Sequence, residues 1–191
     1  MDLSLIAVLV IAYLLGSIPF AQIIASRVSG KDLRVVGSKN VGTRNLSRTA
    51  GLRWAGLGAM LDFGKGLLAM SIAANLTPYP WRLAAGVAAV AGHNWPIWLR
   101  FRGGKGLATA AGAATYVAFF PEMVVTIALG WLILHFTKNI TATAIASFAI
   151  ILFLLHLLDK PADLTWFVLG LAATVLLATV PDIFAILRGT G

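Results

Sequence analysis

No cysteine occurs in the 191 residues, which excludes disulfides, thiolate metal sites and a cysteine nucleophile. Acidic side chains are also scarce, 7 Asp and Glu against 15 Lys and Arg, for a net charge of +8. With few carboxylates and only 3 histidines, none of them clustered among the basic residues, no metal and no cofactor is expected. Familiar catalytic signatures are missing too. There is no G-x-x-x-x-G-K-[ST] phosphate loop, no G-x-S-x-G elbow and no H-E-x-x-H pair. An H-x-x-x-x-D acyltransferase motif is also absent, since Trp98, Ile140 and Pro161 stand five residues after His93, His135 and His156. Covalent serine chemistry and zinc hydrolysis are therefore disfavoured. No aromatic-interleaved basic domain lies outside the apolar segments, so nucleic acid is not an expected partner.

What the chain has in excess is hydrocarbon. Hydrophobic residues make up 59% and charged residues only 12%, with a mean hydropathy of +0.89. A soluble domain averages about 45–50% apolar and about 25% charged. A chain this small keeps too much surface exposed to hide the excess in one core, so lipid is the expected solvent. The stretch from Leu3 to Ala25 reads as a first span rather than a cleavable signal, having neither a basic leader nor an A-x-A site after it.

About 20 apolar residues cross a hydrocarbon core of roughly 30 Å. The apolar runs predict an all-α polytopic membrane protein, one membrane-embedded domain over residues 1–191. Seven transmembrane helices are expected at about 3–26, 54–76, 81–99, 106–120, 121–137, 141–158 and 164–186. Six spans is the alternative, reached by fusing the fourth and fifth. That fused helix would run about 48 Å and bury Glu122 near mid-membrane. Pro121 and Glu122 suit a tight turn better.

The cations set the orientation. Arg27, Lys31, Arg34, Lys39, Arg44, Arg48 and Arg53 lie between the first two spans, and Arg100, Arg102 and Lys105 between the third and fourth. Lys138 and Arg188 fall on the same side, whereas Arg82 and Lys160 fall on the other. The positive-inside rule then predicts an external N-terminus and a cytoplasmic C-terminus.

Two cytoplasmic connections carry the chemistry. In Gly37-Ser-Lys-Asn-Val-Gly-Thr-Arg-Asn45 and on to Arg48, glycines alternate with neutral donors and cations. Ser38, Asn40, Thr43, Asn45 and the backbone N–H groups around Gly42 suit phosphate oxygens, and Lys39, Arg44 and Arg48 supply charge. The second, Gly92-His-Asn-Trp-Pro to Phe101-Arg-Gly-Gly-Lys-Gly106, places Gly103, Gly104 and Lys105 at a helix N-terminus, where anions bind readily. His93 stands near it. Asp62 and Lys65, at i and i+3 within the second span, share one face and pair, which is the cheapest way to keep both in a membrane.

These motifs, with Leu15-Gly-Ser-Ile-Pro-Phe20 and Asp62-Phe-Gly-Lys-Gly66, occur in the same order as in the PlsY-type acyl-phosphate:glycerol-3-phosphate acyltransferases, which the chain resembles over most of its length. The resemblance implies transfer of a fatty acyl group from acyl phosphate to the 1-hydroxyl of sn-glycerol 3-phosphate. It also implies a multi-pass protein of the bacterial inner membrane with its active site on the cytoplasmic side. Carried over by position, Lys105, Arg48, His93 and Ser38 fall in catalytic roles. Asn40, Arg44, Gly42, Gly103, Gly104, Thr141 and Asp182 fall in substrate binding. The sequence departs from the family in two places. Arg44 replaces a threonine in the first motif, and Asp182, within Thr179-Val-Pro-Asp-Ile183, stands where a third motif has asparagine. An ionised acid there repels phosphate rather than binding it. A small anion transporter and a non-catalytic membrane subunit docking lipid or a partner through its basic loops are the competing readings. Oligomeric state is not legible.

Overall fold

The computed structural model describes residues 3–79, 81–117 and 120–187, and every regular element among them is a helix. Helices at Leu3–Ser29, Leu52–Leu76, Ile140–Leu157 and Ala162–Pro181 are long and apolar enough to cross a membrane, and Pro121–Thr137 is a shorter apolar helix. The chain divides into two compact units, Met1–Tyr116 and Val117–Gly191.

The first unit holds α1 (Leu3–Ser17), α2 (Phe20–Ser29), α3 (Thr43–Ala50), α4 (Leu52–Leu76), α5 (Trp81–Asn94), a 3₁₀ turn at Ile97–Leu99, and α6 (Leu107–Tyr116). The first expected span is thus two helices. Pro19 has no N–H to continue the ladder and breaks it; at the break the Ile18 carbonyl accepts from the Phe20 N–H at 3.1 Å and keeps a second lone pair for a side chain. The connection expected as loop contains a helix, α3, joined to α4 through Gly51 alone. The span expected over 81–99 stops at Asn94, because a residue before proline, here Trp95, is pushed out of helical backbone. The span expected over 106–120 runs only from Leu107 to Tyr116.

Helices in lipid gain little from hydrophobic burial and are held by close packing of small residues. A β-carbon at Gly92 or Gly16 of one crossing would strike the Tyr13 or Ala89 carbonyl of the facing helix. At the α4–α6 crossing, Gly66 and Gly112 face the Thr109 and Phe63 carbonyls in the same way. A core of Val8, Ala12, Ala69, Ala73, Ala85 and Ala89 follows from these contacts. A second cluster pins the first connection to the helix ends through Leu33, Val41, Leu46 and Leu99.

The second unit comprises α7 (Phe120–Thr137), α8 (Ile140–Leu157) and α9 (Ala162–Leu187). Asn139 caps α8, its Oδ1 accepting from the N–H groups of Thr141 at 3.0 Å and Ala142 at 3.1 Å. Thr126, Thr143 and Thr174 hide their hydroxyls on carbonyls one turn back, those of Glu122, Asn139 and Gly170. Pro121 lies in the first turn of α7, where its missing N–H costs nothing. Glu122, expected in a tight turn, stands instead in the first turn of α7, only 1% exposed and paired with Lys160 at 2.8 Å.

Candidate active site

The first connection is organised by one buried amide. Asn45 Nδ2 donates to the carbonyls of Leu33 at 3.0 Å, Val36 at 3.0 Å and Asn40 at 3.1 Å. Its Oδ1 accepts from the Ser38 N–H at 3.3 Å. Asn45 thus spends its side chain on the loop. Gly37, at φ 56, approaches Asn45 so closely that a β-carbon would collide with the amide oxygen. This closure leaves Ser38 exposed and Asn40 half-buried, with Gly42 starting α3 in extended backbone. Arg44 and Arg48 fall four residues apart on the exposed side of α3, opposite buried Asn45 and Leu46. That i, i+4 spacing makes one cationic face.

The second connection folds back on α5. The N–H groups of Gly103 and Gly104 donate to the carbonyls of Asn94 at 3.1 Å and His93 at 3.2 Å. Gly106, at φ 76, turns the chain into α6, with half-buried Lys105 just before that helix N-terminus. The two connections meet directly. The Val41 N–H donates to the Gly103 carbonyl at 3.3 Å, and a β-carbon at Gly104 would strike both His93 Nε2 and the Val41 carbonyl.

Beneath this junction lies a buried charged group. Lys65 Nζ sits 2.8 Å from Asp62 Oδ1 and donates to the Ile18 carbonyl, at the α1–α2 break, at 2.9 Å. His93 Nδ1 lies 3.4 Å from the same Asp62 oxygen. Asp62, Lys65 and His93 are all buried. The imidazole is therefore held between Asp62 on one side and the Gly104 backbone on the other. Sequence reasoning treated Asp62 and Lys65 as a helix-stabilising pair and missed their contact with His93. An acid and a base one turn apart inside an apolar span were the signal, but not the partner. Asn45 and an Asp32–Arg34 pair were also missed as organisers. Arg34 donates from Nε to Asp32 Oδ1 at 3.0 Å and from Nη2 to Oδ2 at 2.7 Å. These hydrogen bonds hold the Asp32 carboxyl below its ordinary value.

Ser38, Asn40, Gly42, Arg44, Arg48, His93, Gly103, Gly104 and Lys105 all belong to the first unit, on two connections tied by a backbone hydrogen bond. Thr141 lies in the second unit, half-buried in the first turn of α8, its N–H taken by Asn139. Asp182 falls in α9, and its side chain is outside the described residues. Among those residues no group of histidines and acids has the spacing to hold a metal.

A family model described as glycerol-3-phosphate acyltransferase matches residues 6–189. A glycerol-3-phosphate acyltransferase of Rubrobacter xylanophilus is 37% identical over 187 residues, 97% of this chain and 92% of the relative. Glycerol-3-phosphate acyltransferase 4 of Dehalococcoides mccartyi is 36% identical over 167 residues, covering 86% of this chain and 89% of its own. A crystal structure of PlsY (YgiH), an integral membrane glycerol 3-phosphate acyltransferase in its glycerol 3-phosphate form, superposes with a TM-score of 0.86. It is 30% identical and covers 98% of this chain and 94% of that one. The lysophosphatidic acid form superposes at 0.84 with 27% identity.

Proposed function

The chain belongs to the glycerol-3-phosphate acyltransferase family, and from that premise we propose that it transfers a fatty acyl group from acyl phosphate to the 1-hydroxyl of sn-glycerol 3-phosphate, giving lysophosphatidic acid and phosphate. The observation that carries the reading is the junction of the two glycine-bearing cationic connections through Val41 and Gly103. Both substrates of this reaction bear phosphate, and both need donors and positive charge at one place. Family membership speaks against the transporter and docking-subunit readings.

Acyl phosphate is a mixed anhydride and already activated, so no protein nucleophile is required. The glycerol oxygen attacks the acyl carbon, and the bond from that carbon to the phosphate oxygen breaks, its electron pair leaving with phosphate. The hydroxyl proton goes to the departing phosphate. What remains for the protein is to align the reactants and stabilise charge on the tetrahedral carbon and leaving group. Lys105, Arg48 and Arg44 supply cations; Ser38, Asn40 and the amides near Gly42, Gly103 and Gly104 orient phosphate oxygens. The burial of His93 between Asp62 and Gly104 supports a positioning role for the ring, which shapes the second turn, over direct proton transfer.

We place seven spans in the inner membrane, N-terminus outside and reaction on the cytoplasmic side. The Glu122–Lys160 pair supports the seven-span count, because seven spans put the start of α7 and the α8–α9 connection at one and the same surface. At about 1.5 Å per residue, α5 and α6 are too short to cross by themselves. Non-helical backbone at membrane depth is tolerated where protein buries it, which fits a site recessed between them.

The test is purified protein in detergent with acyl phosphate and labelled glycerol 3-phosphate, with acyl-CoA and acyl carrier protein as rival donors. Lysophosphatidate formed from acyl phosphate alone is expected; formation from either rival but not acyl phosphate rejects the donor assignment.

A further inference from the structure

A cavity of about 630 Å³ opens on the first unit, lined by none of the residues assigned to acyl transfer. Arg34, Arg100 and Arg102 line it with one acid, Asp32, and Val35, Trp98 and Leu99 add apolar wall. Its shape is built into the chain. Asp32 grips Arg34 through the two-pronged pair at 3.0 and 2.7 Å, which fixes one wall. The 3₁₀ turn ends in two successive left-handed residues, Arg100 at φ 53 and Phe101 at φ 61. Each such non-glycine residue costs on the order of 1 kcal/mol, and this bend leaves Arg100 and Arg102 both on the cavity.

The electrostatics are unbalanced. Asp32 offsets Arg34, but among the described residues no hydrogen bond or ion pair engages the side chain of Arg100 or Arg102. The lining carries an excess of two positive charges. A phosphate monoester carries about −1.5 to −2 near neutral pH, and guanidinium forks match its oxygens. Beside the cations, Val35 is 69% and Trp98 63% exposed, a pattern suited to the membrane–water boundary, where tryptophan sits at headgroup level. A soluble anion would gain nothing from those apolar walls.

We propose that this cavity is a second phosphate site that holds the headgroup of an anionic lipid, with Arg100 and Arg102 on the phosphate and the lipid's chains along Val35 and Trp98. It recruits a phosphate-bearing amphiphile beside, not within, the acyl-transfer site.

The experiment reads binding and not turnover, so it stands or falls apart from the reaction assigned above. Full-length protein is placed in phosphatidylcholine vesicles doped with brominated phosphatidic acid, and the emission quenched in wild type but not in Trp98→Phe is followed. Quenching is expected at low mole fraction of brominated phosphatidic acid and not with brominated phosphatidylcholine. Arg100→Gln with Arg102→Gln should raise the half-saturating mole fraction roughly thirtyfold, each arginine near an anionic surface being worth about fivefold. Arg100→Lys with Arg102→Lys, which keeps charge and loses the fork, should fall between. Arg27→Gln with Lys31→Gln removes two exposed cations that do not line the cavity and should leave quenching nearly unchanged. Equal losses in the two glutamine pairs would overturn the site in favour of general surface charge. Displacement of the lipid by millimolar inorganic phosphate or glycerol 3-phosphate would overturn its assignment to lipid.

Discussion

The two units solve the same problem, stability in hydrocarbon, in different ways. In the first, which holds fifteen of the 19 glycines, Gly16, Gly66, Gly92 and Gly112 let helix backbones meet, and polar groups are drawn inward: Asp62, Lys65, His93 and Asn45 are all buried. In the second, apolar helices pack with few glycines, threonine hydroxyls bond to their own helix, and among the described residues an acid–base pair sits at an end. The lesson is that buried polarity follows the site. Each buried charge of the first unit leads, within one or two contacts, to the junction of the two connections. The Glu122–Lys160 pair leads only to the start of its own helix.

The sharpest way to break this contrast is to remove one acid from each unit. Asp62→Asn leaves Lys65 buried without its counter-charge, and breaking such a pair costs about 3–5 kcal/mol. Thermal unfolding in detergent should show a large loss, and acyl transfer should fall with it. Next in size, Lys105→Ala should lower turnover by about 10²–10³, the usual loss when one preorganised charge-stabilising group is removed, while membrane insertion and melting temperature stay near wild type. Full activity in that variant would remove Lys105 from the mechanism. Gly112→Val pushes a side chain against the Phe63 carbonyl and should destabilise by about 1–3 kcal/mol, read as an earlier melt. The smallest effect is expected in the second unit. Lys160 is about a third exposed and turns to water when Glu122→Gln removes its partner, so the loss should be under about 1 kcal/mol with activity retained. If Glu122→Gln proved as damaging as Asp62→Asn, the division between a site-bearing and a plain unit would be wrong.

Much of this architecture is readable from residue order, and the places where it is not are instructive. Apolar runs report helices, but α3 escapes notice because Thr43–Ala50 is mostly polar and becomes helical only by seating Leu46 and Asn45 against the first unit. The extent of α5 is misread for the opposite reason: Ile97, Trp98 and Leu99 are apolar enough to extend a span, yet Pro96 has already ended it. The candidate site is legible as two glycine-bearing basic segments, since phosphate recognition needs donors and charge in close sequence. Which of those residues remain available to a ligand is not legible. Asn45 looks as suited to a phosphate as Asn40, and only the folded loop shows that its amide is occupied four times over by the backbone.

Composition determined that lipid is the solvent, and the long unbroken apolar runs made helix the architecture, because a bilayer admits only helices and closed barrels and barrel strands alternate in short segments. The order of motifs was enough to determine the family. Tertiary structure decided the rest: that Lys65 reaches the Ile18 carbonyl at the helix break, that Asp62 meets His93, and that Val41 joins Gly103. Helical periodicity says which face a residue occupies but not what faces it, and in a protein packed through glycines that partner is chosen by backbone contact between distant segments.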